Sequence, residues 1–248
     1  MPFRTDDGRA LDELLLAQRP ADGYRFVVRQ GFGYEDPVSG RWYDVRAGRT
    51  SDLASVPSWL WSFIASYGRQ SAPALLHDDR SDVADALGDR RAALALRRED
   101  DRVFRSALRE QGVPLLRAWL MWAWVSADRE RALGGTLGVV FLVQAVFGAL
   151  VVAGASVAAF WNPAWLALVL VPALAAVPWW RLAPLMLLLN FATGVLGPLV
   201  VVHLVALVLF RLVEAVVEVV SGGDPAGVLR PTVQAPSSRR EADDRPRE

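Results

Sequence analysis

Cysteine and lysine are both absent from this chain of 248 residues, and histidine occurs only twice. The absence of cysteine excludes a disulfide framework, thiolate metal sites and cysteine nucleophiles. All 27 basic residues are arginine, a bias that indicates a GC-rich bacterial genome. Because His77 is the only histidine outside the apolar C-terminal region, zinc protease motifs and phosphohydrolase sites that need several histidines are also excluded.

Charge is nearly absent between Ala132 and Phe210, where the only ionisable side chains are Arg181 and His203. Residues 1–131, in contrast, hold 20 of the 27 acidic and 20 of the 27 basic residues. This balance provides no basic face for nucleic acid. The partner that the apolar region predicts is the lipid bilayer, and the sequence identifies no protein partner.

Composition divides the chain into four segments. We predict a soluble domain at 1–112, an amphipathic interfacial connector helix at 113–133, transmembrane helices at 134–220 and a disordered tail at 221–248. The soluble domain should be of the α+β class. Its expected elements are a short helix over residues 1–20, a β-hairpin over 24–46 around the loop "PVSG", and helices that end near Gly68, Gly88 and Gly112.

The apolar region is long enough for several crossings, since one helix needs about 20 apolar residues. "LGGTLGVVFLVQAVFGALVVAGASVAAF" predicts one span, "WNP" a turn, and "AWLALVLVPALAAVPWW" a return. Gly194, Gly197 and Pro198 interrupt residues 182–220, which predicts a hairpin with a short or re-entrant first arm. Arginines lie before the first span and in the tail, so the positive-inside rule predicts a multi-pass protein of the cell membrane with its soluble domain and tail in the cytoplasm.

Asp101 lies in the apolar stripe of the helix that we expect after Asp89. Leu94 and Leu108 stand seven positions to either side of it and project within roughly 20° of its direction. A buried carboxylate without a partner costs several kcal/mol, so it must meet an arginine, a metal ion or backbone donors. A structural arginine or helix-cap partner is the simplest interpretation, and a metal site is the alternative.

Asp52, His77 and Asp78 are the other candidate site residues. His77 can act as a ligand or general base with Asp78 beside it, or it can be a histidine at the edge of the core. Asp52 and Ser55 can cap the helix that we expect to begin near Ser55. A metal site made of Asp52, His77, Asp78 and Asp101 would be rich in carboxylate oxygens, which suits magnesium or manganese better than zinc.

Three blocks of the soluble part, "SDLASVPSWLW", "GRQSAPALLHD" and "RREDDRVFRSALREQGV", follow one another with close spacing. In these blocks the chain resembles a family of bacterial, phage-associated proteins known as domain of unknown function 1353, over residues of about 20 to 125. Relatives usually carry an aromatic residue where Ser81 stands here, which implies an altered pocket if that aromatic closes one. The family name implies no activity.

Two functions stay open at this point. The first is a membrane-tethered cytoplasmic module that binds a partner or is structural, in which the polar residues mainly hold the fold. The second is a divalent-metal-dependent hydrolase that uses Asp52, His77, Asp78 and Asp101 as its catalytic or metal-binding residues. Convergence of those side chains on one solvent-reachable cleft would indicate the enzyme, whereas scattered caps and buried pairs would indicate the module.

Overall fold

A computed structural model describes residues 2–19, 25–53, 64–65 and 67–229. The described N-terminal part forms two antiparallel sheets of three short strands each. The strands are β1 (Phe3–Thr5), β2 (Leu16–Gln18), β3 (Phe26–Val28), β4 (Phe32–Glu35), β5 (Trp42–Val45) and β6 (Thr50–Ser51). Their order is β1-β4-β5 in one sheet and β2-β3-β6 in the other. With the helices that follow, this confirms an α+β domain.

The rest of the described chain is helical. The α-helices are α1 (Ser71–Asp85), α2 (Arg90–Glu110), α3 (Leu115–Leu133), α4 (Gly135–Ala158), α5 (Leu170–Ala176), α6 (Ala183–Ser221) and α7 (Ala226–Leu229). Two 3₁₀ helices, Pro163–Val169 and Val177–Leu182, flank α5. The helices predicted to end near Gly88 and Gly112 are thus confirmed as α1 and α2, and the predicted connector helix is α3.

The prediction of a helix over residues 1–20 is wrong. Phe3 and Thr5 are buried and Arg4 between them is exposed, which is the period-two pattern of a half-buried strand. Phe3 pairs opposite Tyr34 of β4, so the N-terminus adds an edge strand to the first sheet. The leucine run near residue 15 resembled an amphipathic helix, but pairing with the sheet decides the conformation.

The predicted hairpin over residues 24–46 is confirmed in its central part. β4 and β5 pair antiparallel, with Tyr34 opposite Tyr43. Residues 26–28, however, form β3 in the other sheet and not a continuation of the hairpin. The core lies between the first sheet and helices α1 and α2. Its large fully buried side chains include Phe3, Phe32, Tyr34, Val45, Leu75, Leu76 and Val103.

Helix α2 begins and ends where the sequence predicts. The side chain of Asp89 accepts a hydrogen bond from the backbone N–H of Arg91 at 2.9 Å, which satisfies one of the free donors at the N-terminus. Gly112 follows the C-terminus with a φ of 77°, a conformation that glycine adopts without steric cost. Helix α3 then packs on α2, where Ala118 and Met121 contact Phe104 and Leu108.

The apolar region is a bundle in which α4 and the first half of α6 run in the same direction. Phe141 of α4 packs in one buried cluster with Leu185 of α6, and further along both helices Gly194 lies against Val152. Residues 163–182 run in the opposite direction beside them. The Gln144 side chain donates to the Ala175 carbonyl at 2.7 Å, while Phe141, one turn earlier, contacts Trp179.

The predicted hairpin over residues 182–220 is wrong, because α6 is one helix of 39 residues. Gly194 serves close packing: a Cβ at this position would lie only 2.6 Å from the Cβ of Val152. Pro198 stands inside the helix. Helices in apolar regions tolerate proline where local adjustments satisfy the freed carbonyl. Glycine and proline therefore do not mark a turn in this segment.

Two helical segments, Gly135–Ala158 and Pro163–Ser221, are long and apolar enough to cross a membrane. Large apolar side chains on the outside of this region are exposed, among them Val140, Phe147, Leu174, Val202 and Phe210. Soluble proteins rarely expose contiguous apolar patches of this extent. The surface of the bundle therefore differs in kind from that of the α+β domain.

Candidate functional site

Asp101 is fully buried and is held by side chains from two other helices. Its Oδ1 lies 2.8 Å from Nε2 of His77 on α1. Its Oδ2 forms an ion pair with Arg129 of α3 and accepts a hydrogen bond of 3.0 Å from the Ser126 hydroxyl. The carboxylate in the apolar stripe of α2 thus has an arginine partner, as the simplest interpretation of the sequence expected.

The ion network extends from Arg129 to Glu130, the next residue on α3. Nε and Nη2 of Arg129 donate to Oε1 of Glu130 at 3.1 and 3.0 Å, and both side chains are buried. Arg98 of α2 also reaches Oε1 of Glu130, at 3.4 Å. Because buried charges persist only when they are paired and hydrogen-bonded, this network fixes α3 against α1 and α2.

Sequence reasoning missed Arg129 and Glu130 as site residues. They stand near the end of the connector helix, where an arginine cluster was assigned to the membrane interface. A signal was present in the sequence, because Arg129 stands three positions after Ser126 and eleven after Ala118, spacings that return to one side of a helix, and all three residues are buried. A charged residue on a buried helix face requires a partner, and Asp101 was the unpartnered acid.

His77 and Asp78 face different surroundings although they are neighbours in sequence. Successive residues of an α-helix project about 100° apart. His77 is 6% exposed, and its ring lies against Phe104 with 4.9 Å between ring centres. The carboxylate of Asp78 instead accepts a hydrogen bond from the Ser51 hydroxyl on β6, which itself accepts from the backbone N–H of Leu53 at 2.8 Å.

Burial, with smaller contributions from the nearby charges of Asp52 and Asp82, raises the pKa of Asp78 to about 7. The hydrogen bond from Ser51 and the charge of His77 act in the opposite direction but do not compensate. A carboxyl group whose pKa is near neutrality can hold or release a proton at physiological pH. Asp78 is therefore the predicted site residue with the most perturbed protonation.

The four candidate residues form two separate groups. Asp101 and His77 lie together in the buried network, whereas Asp78 lies beside Ser51 and near the charge of Asp52. Among the described residues, no three His, Asp or Glu side chains are arranged to hold a metal ion. The metal site stays a prediction. Ser55 and the rest of the segment 54–63, where we expected a capped helix, lie outside the described residues.

The order of contacts in the buried network is not that of a nucleophile, a base and an orienting acid. In such triads the histidine lies between the serine and the acid, so that it can accept the serine proton. Here Asp101 lies between His77 and Ser126, and Ser126 has no exposed surface. The arrangement can stabilise charge and orient helices, and it presents no activated hydroxyl to solvent.

A second buried ion pair attaches the β4–β5 loop to α2. Arg102 donates from both terminal nitrogens to Asp36, at 3.2 and 2.6 Å, and the Ser39 backbone N–H and hydroxyl donate to the same carboxylate. Burial by itself raises the pKa of Asp36, but the hydrogen bonds from Arg102 and Ser39 outweigh burial and hold the pKa at about 2. This pair was also missed, because its members are 66 positions apart.

Residues 26–125 match the sequence family described as Protein of unknown function (DUF1353). Over this segment the chain is similar to that family. The DUF1353 segment includes His77, Asp78 and Asp101, and it ends one residue before Ser126. No curated protein matches the chain, and no solved structure matches it. The side chains of His77, Ser126 and Arg129 bind the Asp101 carboxylate. The last two therefore lie outside residues 26–125.

Proposed function

We propose that this chain is a membrane-embedded module in which α3 holds the DUF1353 segment on an apolar helical bundle. The observation that carries the proposal is the ion pair of Asp101 with Arg129, because it ties α2 to α3, which ends at Leu133 and is followed after Gly134 by α4. Arg90 of α2 adds a hydrogen bond of 2.8 Å to the Leu133 carbonyl at the end of α3. In this proposal the buried polar residues serve to stabilise the fold.

The apolar surface supports embedding in a bilayer. Helix α4 has 24 residues and is about 36 Å long at 1.5 Å per residue, which is enough to cross a hydrocarbon core of about 30 Å. Trp179 and Trp180 lie at the end of the bundle where α4 begins, and Trp161 follows the end of α4. Tryptophan is enriched at both interfaces of a membrane, so the two groups of rings suit the two surfaces.

The proposal places the α+β domain in the cytoplasm, since Arg129 and Arg131 lie just before the first apolar helix. The side on which Ser221 lies depends on the number of crossings. The arginines of the tail favour a cytoplasmic end and an even number. The common direction of α4 and α6, with residues 163–182 running in the opposite direction beside them, favours three crossings and the opposite side.

Membrane fractionation of the full chain tests the proposal. Extraction with alkaline carbonate should leave the protein in the membrane, and detergent should release it. Release by carbonate alone would overturn the proposal. Reporter fusions after Leu133 and after Ser221 give the orientation: the first should lie in the cytoplasm, and the second distinguishes an even number of crossings from three.

A further inference from the structure

A cleft with a volume of about 420 Å³ lies between the α+β domain and the apolar bundle. Its walls come from α2, α3 and the turn that leads into α6. The lining residues are Arg98, Arg102, Arg105, Trp122, Arg129, Trp179, Trp180, Arg181, Leu182 and Leu185. Every ionisable side chain among them is an arginine. The volume is typical of pockets that bind small molecules, and the charge selects an anion.

Two of these arginines are already neutralised. Arg102 pairs with Asp36 and Glu99, and Arg129 pairs with Asp101 and Glu130. These four acids do not line the cleft. The paired arginines therefore form its fixed wall, and their carboxylate partners lie behind them.

The other three arginines of the cleft are less completely neutralised. Arg98 contacts Glu130 at only 3.4 Å, with its side chain 48% exposed. In the part of the chain that the structure describes, Arg105 and Arg181 form no ion pair with a carboxylate. Burial, followed by the charge of Arg102, lowers the pKa of Arg105, as expected of a partly buried cation without an acid beside it.

Arg105 is held in place by aromatic rings. The central carbon of its guanidinium group lies 4.1 Å from the ring centre of Trp119 and 5.0 Å from that of Trp122. The two rings contact each other edge to face, with 5.2 Å between their centres. Stacking fixes the plane of a guanidinium group and leaves the N–H donors at its edge free, so the group is ordered before an anion arrives.

The cleft lies at the depth where lipid headgroups would meet the bundle. Trp179 contacts Phe141 near the start of α4 and donates a hydrogen bond of 2.9 Å to the Gln144 side chain. Trp180 is 83% exposed and has a φ of 49°, a strained conformation for a residue other than glycine. Leu182, which is partly exposed, borders the cleft on the side of the bundle, and the buried Leu185 lies beneath it.

We propose that this cleft binds the phosphate group of an anionic phospholipid, with Arg105 and Arg181 as the residues that contact the phosphate oxygens. Arginine presents paired N–H donors that match phosphate geometry. Leu182 and the exposed apolar face of α6 would contact the acyl chains. Basic pockets beside apolar helices on the cytoplasmic side suit anionic headgroups. The inference rests on the proposed embedding in a membrane.

Binding to purified full-length protein in neutral detergent tests the inference. The probes are short-chain phosphatidylglycerol, phosphatidylcholine with the same chains, and inorganic phosphate, titrated while intrinsic tryptophan fluorescence is recorded. Phosphatidylglycerol should bind at least tenfold more tightly than the other two, because only it combines a net negative phosphate with acyl chains. Equal affinity for phosphatidylcholine would overturn the inference. Tight binding of inorganic phosphate alone would assign the site to a soluble anion and overturn the lipid assignment.

Variants locate the binding site. Arg181→Gln and Arg105→Gln should each weaken the affinity for phosphatidylglycerol about tenfold, since each removes a charged hydrogen bond. Arg117→Gln is the matched control, because Arg117 is an exposed arginine of α3 that does not line the cleft. Arg181 is also exposed, so Arg181→Gln should leave the thermal midpoint unchanged. This variant therefore tests the inference even if Arg105→Gln unfolds the protein. Unchanged affinity in Arg181→Gln would overturn the inference.

Failure of this inference can be distinguished from failure of the proposed function. A protein that resists carbonate extraction but shows no preference for phosphatidylglycerol would contradict only the lipid site. A protein that carbonate releases would contradict both. Membrane fractionation is therefore done first, on the same preparation and with the same variants.

Discussion

The α+β domain and the apolar bundle are stabilised by different kinds of interaction. In the α+β domain, acids and arginines that are far apart in sequence meet in buried pairs, as Asp36 does with Arg102 and Asp101 with Arg129. In the apolar bundle, contacts between helices depend on small residues such as Gly148 and Gly194. Charge pairing specifies partners because an unpaired ion is expensive, whereas apolar helices that share an apolar environment gain mainly from close packing.

Removal of the carboxylate at the centre of the buried network should have the largest effect. Asp101→Asn keeps the shape of the side chain but leaves Arg129 with a weaker set of partners, at a cost of about 3 to 5 kcal/mol in the free energy of unfolding. Thermal unfolding of the wild type and the variant, each with a chelator and with excess magnesium or manganese, measures the loss. We expect it under both conditions, with no ion-dependent shift in the wild type.

Asp128→Asn is the control for this comparison, because Asp128 pairs with Arg131 on the exposed side of α3. Exposed pairs of this kind contribute about 1 kcal/mol or less. Stabilisation of the wild type by magnesium or manganese that disappears in Asp101→Asn would contradict the architectural role and support a metal site.

The second buried pair should respond in the same direction but less strongly. Asp36→Asn removes the charge that Arg102 meets, and we expect a loss of about 3 kcal/mol because Glu99 remains as a partner. Glu99→Gln is the control, with a more exposed side chain and an expected loss below about 1 kcal/mol. Chemical denaturation measures both. A smaller loss in Asp36→Asn than in Glu99→Gln would contradict the role of the buried pair.

The pH dependence of this pair follows from its lowered pKa. The pKa of Asp36 is about 2 in the folded protein against an ordinary value of 3.8. The charged carboxylate of Asp36 therefore stabilises the fold at pH values above about 4. This contribution to stability is lost as the pH falls from about 4 to about 2. In Asp36→Asn the loss of stability over this range should be smaller than in the wild type.

In the bundle, a methyl group added at a close contact between helices should change the free energy of unfolding more than a change of charge. Gly194→Ala would place a Cβ 2.6 Å from the Cβ of Val152, so we expect a loss of about 1 to 3 kcal/mol from overpacking. Gly154→Ala is the matched control on α4, because a Cβ at Gly154 would meet no atom within 4 Å. Unfolding in detergent, followed by circular dichroism, compares the two. Equal stability of both variants would contradict the close contact of α4 with α6.

The smallest effect should come from Asp78. Its pKa is raised to about 7 by burial and by the charges of Asp52 and Asp82, against the effects of Ser51 and His77. A group whose folded pKa is raised stabilises the fold at low pH, and this contribution is lost as the pH rises from about 4 through about 7. Asp78→Asn should therefore gain stability relative to the wild type at pH 8, on the order of 1 kcal/mol after allowance for partial exposure.

Stability profiles from pH 4 to pH 8 measure this difference. Asp85→Asn, an exposed position of the same helix, serves as the control and should keep the wild-type profile. A variant Asp78→Asn that is less stable than the wild type at pH 8 would show that the charged form is the stabilising one, contrary to the raised pKa.

Local patterns in the sequence predicted α1 and α2 of the α+β domain. Asp89 caps α2, and Gly112 follows its end, because both signals act within one turn of the chain. The position of Asp101 in an apolar stripe identified a buried carboxylate, since helical periodicity alone places it there. Composition likewise identified the segments that are long and apolar enough to cross a membrane.

Only the tertiary structure decided which residues meet across long separations. Arg129 lies 28 positions from Asp101, and Arg102 lies 66 positions from Asp36, so no local pattern could pair them. Strand pairing with Tyr34 made Phe3 part of a sheet where the prediction was a helix. Gly194 marked a predicted turn, but the close approach of Val152 makes it a packing residue inside one helix. A local pattern determines what a segment prefers, and the free energy of contacts with distant segments determines which preference is realised.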